Sequence, residues 1–190
     1  ENAQTHSKAA QELQSWAQGL QKHSQAMTLL SEMGDMLQTC LTAAEACASI
    51  HHITEKLLPD WAGALSLTVP NQNNSLEVAA QWGQVRLAEG VMVPNDCVSL
   101  RRGRMYIVEE ILKDSLLCKH LQTPYPSCSL CVPLMAQGET LGVLHLGRTT
   151  PGVLNEDSKR LIGTVAKTIG LGLANLRLRE TLQEQSIRDP

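Results

Sequence analysis

Three cysteines and a histidine fall within the run CKHLQTPYPSCSLCVPL, residues 118–134: Cys118, His120, Cys128 and Cys131. Thiolate and imidazole are the donors that zinc and other thiophilic ions take, and thiolates are also the groups that carry redox chemistry. Cys118 and His120 are two apart, and in an extended loop both side chains can turn toward one ion. Cys128 and Cys131 are three apart in a stretch that reads as a strand. Alternation then puts Cys131 on a face with Ser129, Pro133 and Met135, and Cys128 on the other face with Leu130, Val132 and Leu134. The pair is therefore poor support for a zinc knuckle. Three readings of the sulfurs stay open: inert buried thiols, which is what Cys most often is in a core, metal ligation, or redox chemistry. Arg101, Arg102 and Arg104 form either a thiolate-promoting surround for Cys97 or a solvated basic surface after a short helix.

The elements that must position these groups are legible from periodicity. Leu13, Trp16, Leu20, His23, Met27, Leu30, Gly34 and Leu37 recur at alternating spacings of three and four, a heptad seam on one long helix suited to pairing with a second chain. A second helix is expected over roughly 43–58, with Ala44, Cys47, Ala48, Ile50, Ile53, Thr54 and Leu57 on its inner face and Pro59 ending it. Cys40 and Cys47 fall on these helices as small buried residues. AGALSLTVP and SLEVAAQWG alternate as a hairpin around the turn chemistry of NQNN. Further strands are expected at RMYIVEE, CSLCVPLMA and TLGVLHLGR, the last two joined at QGE. A final helix starts at Asn155 with Glu156 and Asp157 in its first turn. It carries Leu161, Val165, Ile169, Leu173 and Leu176 as a stripe that covers the sheet, with Leu171, Leu178 and Leu182 continuing beyond. The fold class is α+β: a central antiparallel sheet with flanking helices and long N- and C-terminal helices.

Composition narrows the function classes. With 190 residues, the chain has room for one domain and extensions. Sixteen Lys and Arg against nineteen Asp and Glu leave a net charge of −3, and no basic cluster tracks a phosphate backbone, so nucleic acid is not an expected partner. No apolar run reaches the roughly 20 residues of a membrane span, and the polar start is no signal peptide. Membrane contact by this segment is not expected. A cytoplasmic setting with reduced thiols follows, the chain reading as a piece cut at both ends and the full protein free to carry an anchor upstream. Phe is absent, so Leu, Val, Ile, Ala and Met must build the core. No nucleophile–base–orienter set, phosphate loop or carboxylate pair stands out.

The hairpin GALSLTVPNQNNSLEVAAQWG, the closing strands CVPLMAQGETLGVLHLGR and the helix LNEDSKRLIGTVAKTIGLGLANLRLRETL together resemble a GAF domain, over about 30–182. GAF domains are small-molecule sensing modules with helices on one face of an antiparallel sheet and a pocket on the other. NDCVSLRRGRMY, CKHL and CVPLMAQGE resemble a GAF subgroup that precedes GGDEF diguanylate cyclase domains, with Val98 and Ser99 departing from its usual Trp-Ala. In that pattern Cys97, Cys118, His120 and Cys131 match and Cys128 does not. The resemblance thus singles out Cys97, Cys118, His120 and Cys131, and three thiolates and one imidazole from three segments are a donor set that suits zinc or another thiophilic metal. QEQSIRDP resembles the junction into a GGDEF domain.

The resemblance implies an organisation of 1–38 as a coiled-coil-like helix, 39–176 as the GAF sensor and 177–190 as a linker helix to an output domain outside the chain. The function implied is ligand, metal or redox sensing in a bacterial signalling protein, without catalysis of its own. Control would run through dimeric terminal helices to a diguanylate cyclase in cis and so to cyclic di-GMP. The alternatives are a thiol enzyme resembling free methionine-R-sulfoxide reductase, with Cys97, Cys118 and Cys131 in its pocket, and a dimerisation spacer without ligand. Bilin attachment is disfavoured, because Lys119 separates Cys118 from His120 and aromatics are few. His145 reads as a satisfied or exposed strand histidine, and the adjacent His51 and His52 as pointing apart.

Overall fold

The computed structural model describes residues 2–69, 75–88, 91–112 and 115–188. The NQNN turn expected in the first hairpin lies outside the described residues. Among the described residues, four α-helices and five strands follow in the order α1 (Asn2–Thr39), α2 (Ala43–Leu57), β1 (Ala62–Thr68), β2 (Leu76–Trp82), α3 (Val98–Arg102), β3 (Tyr106–Val108), β4 (Cys128–Ala136), β5 (Glu139–Arg148) and α4 (Glu156–Arg188). The strands form one antiparallel sheet ordered β2-β1-β5-β4-β3. The expected α+β class is therefore observed, with each strand where alternation placed it.

Local chemistry sets the element ends. Thr42 accepts the Glu45 N–H at 3.2 Å, while the Glu45 carboxylate reaches back to the Leu41 N–H at 2.9 Å, a reciprocal cap that starts α2. Asn155 Oδ1 likewise accepts the Ser158 N–H at the start of α4. Between β4 and β5 the chain reverses through Gln137 and Gly138, both at positive φ (52° and 82°), as a tight two-residue hairpin requires.

The sheet has both faces covered, which is why Ser66 and Ser129 are as buried as their apolar neighbours. On one face α1, α2 and α4 enclose the main core, built around Met33, Leu37, Ile50, Ile53, Leu65, Leu130, Leu134, Leu144, Leu146, Ile162 and Ile169. On the other, α3 and its flanking segments cover a second cluster of Leu76, Cys97, Val98, Cys118, Cys131 and Val143. The face expected for α2 is corrected in part: Ala44 and Ala48 are exposed, and Ala46 takes the buried place.

The heptad seam on α1 divides. Leu30 and Leu37 are buried within this chain, together with Met33, which the seam omits, whereas Leu13, Trp16 and Leu20 are 72%, 76% and 68% exposed. The second half of the helix finds its apolar partner in α4, so only the first half presents an unused stripe. Gly172 on α4 makes that packing possible, since a Cβ there would stand 2.6 Å from Leu37 Cδ1 and 2.8 Å from Leu37 Cβ. Arg179 then donates to the Gln38 carbonyl at 2.9 Å, satisfying the C-terminal end of α1. Gly172→Ala is expected to cost about 1–3 kcal/mol of stability through overpacking, read from the urea midpoint; an unchanged midpoint would show that α1 and α4 are free to slide apart.

Candidate metal centre

Four donor atoms meet on the sheet face opposite the long helices. Cys97 immediately precedes α3 as its N-cap, Cys118 and His120 sit in the covering segment, and Cys131 lies in the middle of β4. Relative exposures are 0%, 4%, 6% and 1%. Their ligand atoms all lie within 4.8 Å of one another. Cys118 Sγ is 3.9 Å from Cys97 Sγ and 4.0 Å from Cys131 Sγ, and Cys131 Sγ is 3.6 Å from His120 Nε2. Bonds to zinc of about 2.3 Å for sulfur and about 2.0–2.1 Å for nitrogen put tetrahedral donors about 3.8 Å apart for two sulfurs and about 3.6 Å for sulfur and nitrogen. The observed spacings approach those edges, and they are far longer than the roughly 2.05 Å of a disulfide.

Each segment has a local reason for its path. A left-handed Gly103 (φ 62°) ends α3 after one turn, which holds Cys97 and Val98 against the sheet. The Lys119 N–H donates to the Asp96 carbonyl at 3.1 Å, and the Ala88 N–H to the His120 carbonyl at 2.8 Å, tying the Cys118–His120 segment to its neighbours. Pairing of β4 with β3 and β5 puts Cys131 between Tyr106 and His145.

The electrostatics favour one thiolate even without an ion. Hydrogen bonding from Cys131 and then Cys97, joined by the Val98 N–H at 3.3 Å, pulls the Cys118 thiol well below its usual range. Cys97 and Cys131 are pushed up by that same pairing with Cys118. The Leu100 N–H in the first turn of α3 acts on Cys97 in the opposite, lowering sense, without closing a full capping bond. Burial pushes His120 down and holds it neutral, the form in which imidazole ligates.

Cys128 is fully buried in the main core, on the opposite face from Cys131. Cys40 and Cys47 are likewise core residues. Arg101, Arg102 and Arg104 are exposed and do not act on Cys97; Arg102 instead lies 5.3 Å over the Tyr106 ring. His51 stacks on Trp82, away from the cluster.

The residue that sequence reading missed is His145. It is 1% exposed, its Nδ1 lies 3.3 Å from Cys131 Sγ, and its Nε2 is buried with no hydrogen-bond partner among the described residues. The available signal was cross-strand register, since His145 pairs directly with Cys131. Burial depresses its pKa to about 3. The unfolded value, about 6.5, is higher, so its stabilising contribution is complete above about pH 6.5 and is lost as pH falls toward 3. The metal-free chain is expected to lose about 2 kcal/mol between pH 7.5 and 5 from this group alone. Urea midpoints at the two pH values measure it, and a flat profile would contradict the buried neutral imidazole.

Among the described residues, no helix is long and apolar enough to cross a membrane. A family model described as GAF domain matches residues 28–174. Among solved structures, the fold is similar to the GAF domain of an Acinetobacter phosphoenolpyruvate-protein phosphotransferase, with TM-score 0.67 and 12% identity over 80% of this chain and 94% of that one. It is also similar to free methionine-R-sulfoxide reductase from Neisseria meningitidis in complex with its substrate, with TM-score 0.63 and 17% identity over 81% and 91% of the two chains. A third likeness is to residues 122 to 287 of a methyl-accepting chemotaxis protein, with TM-score 0.62 and 16% identity over 77% and 97%. No curated protein matches the sequence.

Proposed function

The chain belongs to the GAF domain family, and we propose that it is a regulatory sensor whose signal is a single thiophilic metal ion, zinc in the first instance, held by Cys97, Cys118, His120 and Cys131. GAF domains are in general regulatory sensors, and the buried cluster has the donor types to bind a metal. The observation that carries the reading is the mutual approach of three sulfurs and one imidazole from three segments to spacings near tetrahedral edges. Donors this close surround one ion; the bridging sulfides of an iron–sulfur core would hold terminal ligands farther apart. Four closed positions make the site one for binding, with no catalysis of its own.

The route outward runs through β4. That strand turns Cys131 toward the centre and Leu130 and Leu134 toward the helices. On the helical side Gly170 of α4 lies so close that a Cβ would meet the Met135 carbonyl at 3.1 Å. Binding that fixes Cys131 therefore biases the seat of α4, and α4 is clamped to α1 through Leu37 and Arg179. In this proposal the paired helices of a homodimer carry that bias to a C-terminal diguanylate cyclase. The RDP junction supports that choice of output, and a full-length protein whose cyclic di-GMP synthesis is indifferent to metal loading would reject it.

Elemental analysis of chain purified without a His tag, with thiol counting under native conditions, tests the centre. One equivalent of metal and protection of Cys97, Cys118 and Cys131 until chelation are expected. No metal, with those thiols reacting at the rate of the unfolded chain, would overturn the reading. The fold likeness to methionine-R-sulfoxide reductase and the contact between three thiols favour a second reading as a thiol enzyme. Turnover of free methionine sulfoxide with a thiol reductant by wild type, lost in Cys118→Ser, would establish it.

A further inference from the structure

Once an ion is bound, all three cysteines are thiolates, and three negative charges against a divalent ion leave a net charge of −1 in a buried site. Such a site needs N–H donors on its sulfurs. Cys118 accepts the Val98 N–H at 3.3 Å. That donor comes from the first turn of α3, which Cys97 precedes as N-cap and where helical geometry leaves backbone N–H groups without a partner in the helix. Cys131 has no such supply. It sits between two strands in the middle of β4, where the backbone groups of the ladder are committed to one another. The nitrogens that face its sulfur are His120 Nε2 at 3.6 Å and His145 Nδ1 at 3.3 Å. A ligating His120 binds through the Nε2 lone pair and carries no proton there. Among the described residues, His145 alone remains as a donor.

We propose that His145 is a positioning residue of the metal centre: its Nδ1–H donates to the Cys131 thiolate, as the Val98 N–H donates to Cys118. The tautomer follows from the surroundings. With the proton on Nδ1, the buried Nε2 is left as an unpaired acceptor. With the proton on Nε2, a buried donor would go unpaired and two lone pairs, on nitrogen and sulfur, would face each other at 3.3 Å. The backbone makes the placement rigid, because His145 is directly opposite Cys131 across β4 and β5 and opposite Ala64 across β5 and β1. An interior strand of the sheet thus holds the imidazole, and its 5.4 Å edge-on contact with the His120 ring orders both histidines together.

The inference rests on the metal reading above, and its test is built to fail separately from it. The 190-residue chain, stripped with chelator, is titrated with cobalt(II), whose visible ligand-field bands report four-coordinate geometry and whose near-ultraviolet band reports thiolate-to-metal charge transfer. Chelator competition gives the affinity. His145→Leu is expected to keep the tetrahedral bands, shift the charge-transfer band and bind about 10–100-fold more weakly, the usual loss when a partner of a metal ligand is removed. His145→Asn, whose side-chain N–H falls near the Nδ1 position, is expected to restore the band and the affinity to within a few-fold. Melting of the metal-free variants separates positioning from packing, because positioning weakens only the loaded form. An equal loss of stability in metal-free and loaded His145→Leu would overturn the proposal, as would an unchanged band and affinity. So would tetrahedral bands that survive His120→Ala and vanish in His145→Asn, which would make His145 the ligand. Wild-type chain that takes up no cobalt would overturn the metal reading and this inference with it.

Discussion

Cys118→Ser should leave a chain that emerges from gel filtration without metal, where the wild type carries one equivalent. Cys118 is the hub of the cluster: its sulfur lies 3.9 and 4.0 Å from the other two and receives the Val98 N–H, and it is the thiol whose proton leaves first. Serine keeps the volume and removes the soft donor, so the substitution tests ligation with little disturbance of packing. Where free metal stands about 1,000-fold above Kd, loading stabilises the fold by about 4 kcal/mol, which for a chain of this size is a rise in Tm of roughly 8–16 °C. Wild type should show that rise on adding zinc, and Cys118→Ser should show none. Cys128→Ser serves as the contrast. That sulfur lies in the main core, so the variant should lower Tm with and without metal alike and keep the full increment on loading. Equal zinc increments in Cys118→Ser and wild type would exclude the centre.

The second large effect concerns assembly. Leu13, Trp16 and Leu20 form an apolar stripe on α1 that none of the described residues covers, while Leu30, Met33 and Leu37 further along the same helix are buried. Burying a large apolar side chain is worth about 1.5–3 kcal/mol, and a two-fold pairing counts each residue twice. Trp16→Glu with Leu20→Glu is therefore expected to cost a helix-paired dimer about 6 kcal/mol or more, at least about a 10,000-fold rise in Kd. Light scattering should find a dimer for the wild type and a monomer for the variant at the same concentration. Because these positions lie outside the core, the thermal transition of the body should move little. A variant that stays dimeric would place the interface elsewhere, and the exposed Leu171, Leu178 and Leu182 on α4 would be the next face to test.

Much of the fold was legible because its signals are local. Periods of two and of 3.6 set the strands and helices, Thr42 with Glu45 and Asn155 with Ser158 cap them, and Gln137-Gly138 turns the last hairpin. Alternation along a single strand also separated Cys128 from Cys131, since that separation depends only on residue spacing and the pleat. Less of the centre could be read in this way. Arg101, Arg102 and Arg104 are near Cys97 in sequence, yet a one-turn helix carries their side chains into solvent. His145 was passed over because its partner is 14 residues away across a hairpin whose register is shifted by an irregularity between Leu134 and Met135. The heptad seam predicted one continuous surface, and α4 claimed half of it.

The sequence by itself determined which residue types were at hand, the elements that carry them and the face on which each strand residue falls, because propensity and pleat act over a few residues. Only the tertiary structure decided that Cys97, Cys118, His120 and Cys131 stand within 4.8 Å of one another and that His145 faces the same sulfur. Those distances are set by how the segments before β4 fold back over a sheet whose strand order, β2-β1-β5-β4-β3, differs from their order in the chain. The physical reason is that long-range packing, in which each segment must fill the space the others leave, has no counterpart in the spacing of residues along the chain.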